Sequence, residues 1–125
     1  MSSVVPVSSA GAASVTGAAL LSAVAGLSAR NRAIADNISN IQTPGFQSRR
    51  VAFEDAVAEA AGSGRRGLTA STTALSLEPT RLDGNNVNLD TETLQHIDTG
   101  LRYQLALRAI DDRFAVTRAA LRTQG

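Results

Sequence analysis

Cysteine is absent from this chain of 125 residues, which excludes disulfides and thiolate metal ligands. Tryptophan is absent too, and three Phe and one Tyr leave few large apolar anchors, so packing must rest on Leu, Ile, Val and many Ala. Lysine is missing: all twelve basic residues are Arg, scattered among eleven acids for a formal net charge of +1, a distribution that speaks against a nucleic-acid footprint. The apolar stretch from Val15 to Ala29 is too short and too interrupted by Gly, Ser and Thr to span a bilayer. No Lys or Arg precedes it, which argues against a cleaved signal peptide.

Reactive constellations are equally scarce. The single histidine, His96, has no second His or Cys with which to build a metal site or an activated nucleophile, and reads as a helix-surface residue. Asp111 and Asp112 are adjacent, so a helix sends them in different directions, and Arg108 and Arg113 flank them as ion-pair partners. The run from Asp83 to Glu92 lacks the ligand alternation and terminal Glu of a calcium loop. Arg49-Arg50 and Arg65-Arg66 are isolated doublets, expected to pair with acids on adjacent subunits or to stay solvated. The expectation is a non-enzyme with no cofactor, no metal site and no catalytic residues.

What is present is helical pattern. Leu20, Val24, Leu27, Asn31, Ile34, Ile38 and Ile41 recur at alternating four and three spacing, a coiled-coil seam with one polar member, and an Asn at such a position commonly fixes register and partner number. Ala25, Ala29 and Ala33 flank it and admit close approach of a second helix. Thr43-Pro44-Gly45 stops the helix near Asn40, because Pro disfavours helix before it and Pro-Gly suits a type II turn. Asn40 is suited to the helix end, Phe46 to folding back on the seam, and Asn37 to hydrogen bonding across to a partner helix.

A second long helix follows from Asp90-Thr91-Glu92, where acids and a capping side chain suit a helix N-terminus. Its apolar residues form two faces about 180° apart at ~100° per residue: Leu94, Ile97, Leu101 and Leu105, then Tyr103, Leu107, Ile110, Phe114 and Leu121. One neighbour cannot cover both, so this helix should touch its N-terminal counterpart and another subunit. A middle segment folded over the second face is the alternative.

The chain therefore divides into a flexible N-terminus (1–13), a coiled-coil helix (14–42), a turn with a short helical piece around Val51 to Ala61 and a flexible loop over 62–81 (43–89 in all), and a C-terminal helix (90–123). The fold class is mainly α: an antiparallel coiled-coil-like pair of terminal helices in one domain, joined by an irregular, partly flexible middle with at most short β structure.

The run Ile34-Ala35-Asp36-Asn37-Ile38-Ser39-Asn40-Ile41-Gln42-Thr43-Pro44-Gly45-Phe46 resembles the signature of the flagellar rod and hook protein family, in which an Asn-Ile-Ala-Asn-like helix end precedes Thr-Pro-Gly-Tyr. Ser39 and Phe46 are conservative departures. Asp83-Gly84-Asn85-Asn86-Val87-Asn88-Leu89-Asp90, with Glu92 and Tyr103 beyond it, is similar to the opening of the C-terminal helix in short proximal-rod members. Hook and distal-rod members carry large β insertions for which this chain has no room.

The resemblance implies a structural subunit that polymerises through its terminal helices into the rod of the basal body, the shaft that carries torque from motor to hook. It implies contacts with copies of itself, with other rod proteins of the FlgC kind and with a FliE-like junction protein. Export would run through the flagellar type III apparatus, without cleavage, into the periplasmic or cell-wall space. No nucleic acid and no direct membrane insertion are expected. Another short rod subunit of the FlgC kind and a non-polymerising helical adaptor are the alternative readings.

Overall fold

Ser14 opens the first helix by accepting the Gly17 N–H on its hydroxyl at 2.9 Å, and α1 then runs over Val15–Ser39. Ala-rich composition and the absence of Pro sustain it. At its end Asn40 closes the last turn, its backbone N–H and its side-chain amide both donating to the Asp36 carbonyl, at 3.2 and 2.8 Å, without entering the left-handed region. The computed structural model describes residues 14–124, so the flexible segment expected over 1–13 lies outside the described residues.

After α1 the Phe46 N–H closes onto the Thr43 carbonyl at 3.2 Å around Pro44 and Gly45, the expected type II turn, with Gly45 at φ 76°. Its N–H reaches the Asp83 carbonyl at 2.8 Å, so this turn abuts a second one at Gly84. Strand β1 (Arg49–Ala52) follows, then α2 (Glu54–Gly62), β2 (Thr72–Leu75) and α3 (Leu89–Gln124). The fold is mainly helical, with long α1 and α3 in contact, a short middle helix and a two-stranded antiparallel sheet.

Three sequence expectations are refined here. The loop over 62–81 is not irregular throughout: residues 72–75 pair with β1 in the register Arg49↔Leu75 to Ala52↔Thr72. Period-two patterning is invisible in Thr-Thr-Ala-Leu because all four residues are exposed. The helical piece around Val51 to Ala61 starts later, at Glu54, because Val51 belongs to the strand. The side chain that caps α3 is Asn88, whose Oδ1 accepts the Thr91 N–H at 3.1 Å, so α3 begins at Leu89.

The core is small and sits where α1, β1 and α2 meet: Leu27, Val51 and Phe53, edged by Ala23, Ala29, Ala33, Val57, Tyr103 and Ala106. Phe53 lies directly on Gly26, and a β-carbon at that position would penetrate its ring. The glycine is therefore a notch rather than a hinge. Tyr103 and Ala106 bring α3 onto the same cluster. α1 and α3 run antiparallel, since the end of α1 meets the start of α3 through Asn37 and Glu92, while Ser14 meets Arg113 far along α3.

The notch gives a paired prediction. Gly26→Ala gains about 1 kcal/mol of helix propensity but overpacks Phe53 at a cost of about 1–3 kcal/mol, and so lowers the thermal midpoint of the purified protein. Gly100→Ala, with open space around its would-be β-carbon, gains the propensity alone and raises it. Circular dichroism melts of both variants check the opposite signs.

Candidate assembly interface

The junction between the two long helices is polar. Glu92, one turn into α3, is fully buried. It receives the Asn37 side-chain amide at 3.0 Å and an ion pair from Arg50 at 2.8 Å. Asn37, also fully buried, meanwhile donates to the Arg49 carbonyl at 3.0 Å and accepts the Arg49 N–H at 2.9 Å, so one side chain mimics a neighbouring strand along β1. A buried carboxylate is costly unless paired and hydrogen-bonded. Here Asn37 of α1 hydrogen-bonds Oε1, and Arg50 of β1 sets its charge beside Oε2, which takes no hydrogen bond among the described residues.

Arg30 makes a parallel tie one face away. Its guanidinium grips the Glu54 carboxylate at 2.6 and 2.7 Å, donates to the Val51 carbonyl at 2.6 and 3.2 Å, and lies over the Phe53 ring at 4.7 Å. The Arg30 hydrogen bonds hold the Glu54 carboxyl well below its ordinary range, from 4.5 to about 2, against the opposing effect of burial.

The segment after β2 is fastened by two amides that the sequence offered only within a rejected calcium loop and a family match. Asn85 donates to the Asn40 and Thr43 carbonyls at 2.8 and 2.9 Å, satisfying the end of α1. Asn86 accepts the Ser48 N–H at 2.6 Å and donates to the Ser76 and Glu78 carbonyls. Arg81 adds bonds to Ile41 and Val87 carbonyls at 2.6 and 2.7 Å. Adjacent Asn residues after Asp-Gly were the available signal, since such side chains habitually bind local backbone.

Other expectations change partner. Arg49 and Arg50 pair within the chain, with Asp36 at 3.1 Å and with Glu78 and Glu92, because the strand places them against α1 and α3. Among the described residues Asp111 and Asp112 make no ion pair, and Arg113 instead donates to Ser14 Oγ at 2.9 Å. Asn37 does reach across to a helix, and that helix is α3 of the same chain. Phe46 is half-buried beneath the Arg49 guanidinium, 5.7 Å away, rather than part of the core cluster.

The seam on α1 is unevenly covered. Leu27 and Ile34 are buried, Leu20, Val24, Asn31 and Ile41 are half-buried, and Ile38 is 36% exposed. The most buried positions of the helix include small or polar residues, Gly17, Ala18, Ser22, Gly26 and Asn37, because α1 meets three elements at close range. Of the motif at its end, Asn40 is half-buried and Thr43, Pro44 and Gly45 are exposed.

On α3, Tyr103 and Ile110 lean against α1, while Leu107, Phe114 and Leu121 flank them in the open. The other face is uncovered over its whole length: Leu94 is 68% exposed, Ile97 55%, Leu101 59% and Leu105 67%. The middle segment does not fold over it. An apolar stripe of this extent on a small protein marks an interaction surface.

A pair of long helices in contact, with an apolar stripe of α3 turned to solvent, defines the class: a mainly helical protein that carries an exposed interaction surface and no cluster of reactive groups among its described residues. Among the described residues no helix is long and apolar enough to cross a membrane, and no group of three His, Asp or Glu side chains gathers. The flagellar basal body rod protein FlgB of Escherichia coli (strain K12) is 30% identical over 102 aligned positions, covering 65% of this chain and 74% of its own length. Its counterpart in Cereibacter sphaeroides is 29% identical over 106 positions, covering 74% and 83% respectively, and that of Salmonella typhimurium 28% over 102. No family model matches the chain. The chain belongs to the family of flagellar basal body rod protein FlgB, a structural family, and is not an enzyme.

Two measurements probe the junction. Asn37→Ala strips hydrogen bonds from the buried Glu92 carboxylate and from the β1 backbone, and costs about 2–4 kcal/mol at the usual penalty for stranded polar groups. A thermal midpoint lower by roughly 10 °C or more is expected for a chain of this size. Because the folded Glu54 carboxyl titrates near 2 rather than 4.5, its stabilising contribution is complete above about pH 4.5 and disappears as pH falls toward 2. Water screening limits its size, since this side chain is 41% exposed. Urea unfolding between pH 5 and 2 should therefore show a shallower acid slope for Glu54→Gln than for the native chain.

Proposed function

We propose that this rod protein is a subunit of the proximal rod, polymerising through α1 and α3 into the wall of the shaft that transmits torque from motor to hook. The observation that carries the reading is the uncovered stripe Leu94, Ile97, Leu101 and Leu105 on a helix whose opposite side is already occupied by α1. At about 25 cal/mol per Å² of apolar surface removed from water, such a stripe drives association rather than solubility. Repeating contacts of unlike surfaces then build an extended array.

The partners in this reading are copies of the chain, other rod proteins of the FlgC kind and a FliE-like junction protein at the rod base. The seam, the Asn37 to Phe46 motif and both α3 faces supply the helix packing and the subunit contacts. The chain reaches the periplasmic or cell-wall space through the flagellar type III export apparatus without cleavage. Family membership supports this reading over a free-standing helical adaptor.

Deletion of the gene tests it. Cells should lose swimming, and electron microscopy of isolated basal bodies should find the membrane-embedded base without rod and hook. Persistence of filaments and swimming would refute the rod assignment.

A further inference from the structure

The first half of α3 is seated inside out. Glu92 and Thr99, a carboxylate and a hydroxyl, are fully buried, while Leu94, Ile97, Leu101 and Leu105 are each more than half exposed. At ~100° per residue Leu101 lies about 180° from Glu92, so the polar and apolar sides are opposite. An amphipathic helix ordinarily packs the other way round.

Apolar area does not account for this choice. The side of α3 turned inward offers Tyr103, Ala106 and Ile110, whereas the side turned to water offers four large aliphatic side chains. Rolling the helix by half a turn about its own axis would exchange the two sides and take more apolar surface out of water. It would also carry to solvent the Thr99 hydroxyl and Glu92 Oε2, neither of which makes a hydrogen bond among the described residues. Arg108 and Asp112 continue the leucine line and would turn toward α1, but as a pair of opposite charge four residues apart.

What holds the observed seating is therefore polar, and one contact dominates. The Arg102 tie to Glu54, at 3.4 Å, joins two side chains that are both largely in water. Arg113 gives the Ser14 hydroxyl a single bond at 2.9 Å. Glu92 alone is fully buried, with the Asn37 amide at 3.0 Å and Arg50 at 2.8 Å. Facing inward, this carboxylate must keep both partners; facing outward, it would be solvated.

We propose that Glu92 is a positioning residue that locks the rotation of α3: it selects, of two seatings related by half a turn, the one that turns the leucine face outward. Without the lock, α3 rolls and lays Leu94, Ile97, Leu101 and Leu105 on α1. The stripe is thus held out as a surface for other chains instead of covering its own α1. The lock belongs to the single chain, and it stands or falls independently of whether a rod neighbour meets the stripe.

With one Tyr, no Trp and no Cys, the chain reports its own rotation. Tyr103 is half-buried on the inward side and Leu101 is exposed on the outward side. In purified Leu101→Cys, a maleimide should label the thiol fast and acrylamide should quench the Tyr103 fluorescence weakly. Adding Glu92→Lys, which sets a cation beside Arg50, should slow the labelling severalfold and raise the quenching, with helix content by circular dichroism unchanged. A merely structural role for Glu92 would not protect a previously open thiol. Adding Arg50→Glu, which restores an opposite pair, should return both readings to those of Leu101→Cys.

A folded Glu92→Lys variant with the thiol still reactive and Tyr103 still shielded would overturn the proposal, because the apolar core would then set the rotation. Both groups open with helix retained would mean that α3 undocks without a second seating, and would overturn it too. Should Glu92→Lys lose its helix content, Glu92→Ala decides in its place: opposite movement of the two readings supports the lock, and any other result refutes it.

Discussion

Everything in this fold hangs on a carboxylate held out of water. Glu92 is fully buried where α1, β1 and α3 converge, and it can be there only because Asn37 and Arg50 reach it from two other elements. The small apolar core of Leu27, Val51 and Phe53 is edged mainly by alanines, which pack closely but discriminate poorly between one helix register and the next. A buried ionic contact with three participants has one solution. Slide α3 by a turn and the carboxylate loses both partners, at a penalty larger than any alanine contact could return. Polar pairing at the junction thus specifies what the small core merely stabilises.

The middle of the chain depends on the same economy of means. With few large side chains available, residues 43–88 are held by amides and guanidiniums bound to backbone: Asn37 along one edge of β1, Asn85 at the end of α1, Asn86 between Ser48 and the strand exit, Arg30 and Arg81 at neighbouring carbonyls. Such bonds satisfy loop carbonyls that a larger core would otherwise have to cover. Phe53 is the exception, and it needs Gly26 to make room.

How much of this was legible in advance follows from the kind of interaction. The long helices, the stop at Asn40, the type II turn at Pro44-Gly45 and the two opposed faces of α3 all follow from periodicity or local backbone preference, which a linear reading captures. The exposed Leu94 to Leu105 stripe was visible for that reason. β2 escaped notice because Thr-Thr-Ala-Leu has no buried face to impose alternation. Arg50 with Glu92, Asn86 with Ser48 and Phe53 on Gly26 escaped because each joins residues 27 to 42 positions apart, and nothing in composition or spacing ties them together. The Asn37 reading reached the right geometry, a bond to a helix, without revealing that the helix is the chain's own.

The distribution of polar and apolar contacts separates two tasks. Contacts that must form once, within the chain, are charged and directional, and they concentrate at the end of the helical pair where α1 stops and α3 begins. Away from that junction α3 becomes progressively more open: beyond Arg113, the level of Ser14, its described side chains are exposed, Phe114 and Leu121 among them. In the proposed rod, the directional bonds keep each subunit's two helices from sliding against one another, and the open apolar surfaces of α3 are what is left to meet neighbouring subunits, so that specificity lies inside the subunit and apolar area outside it.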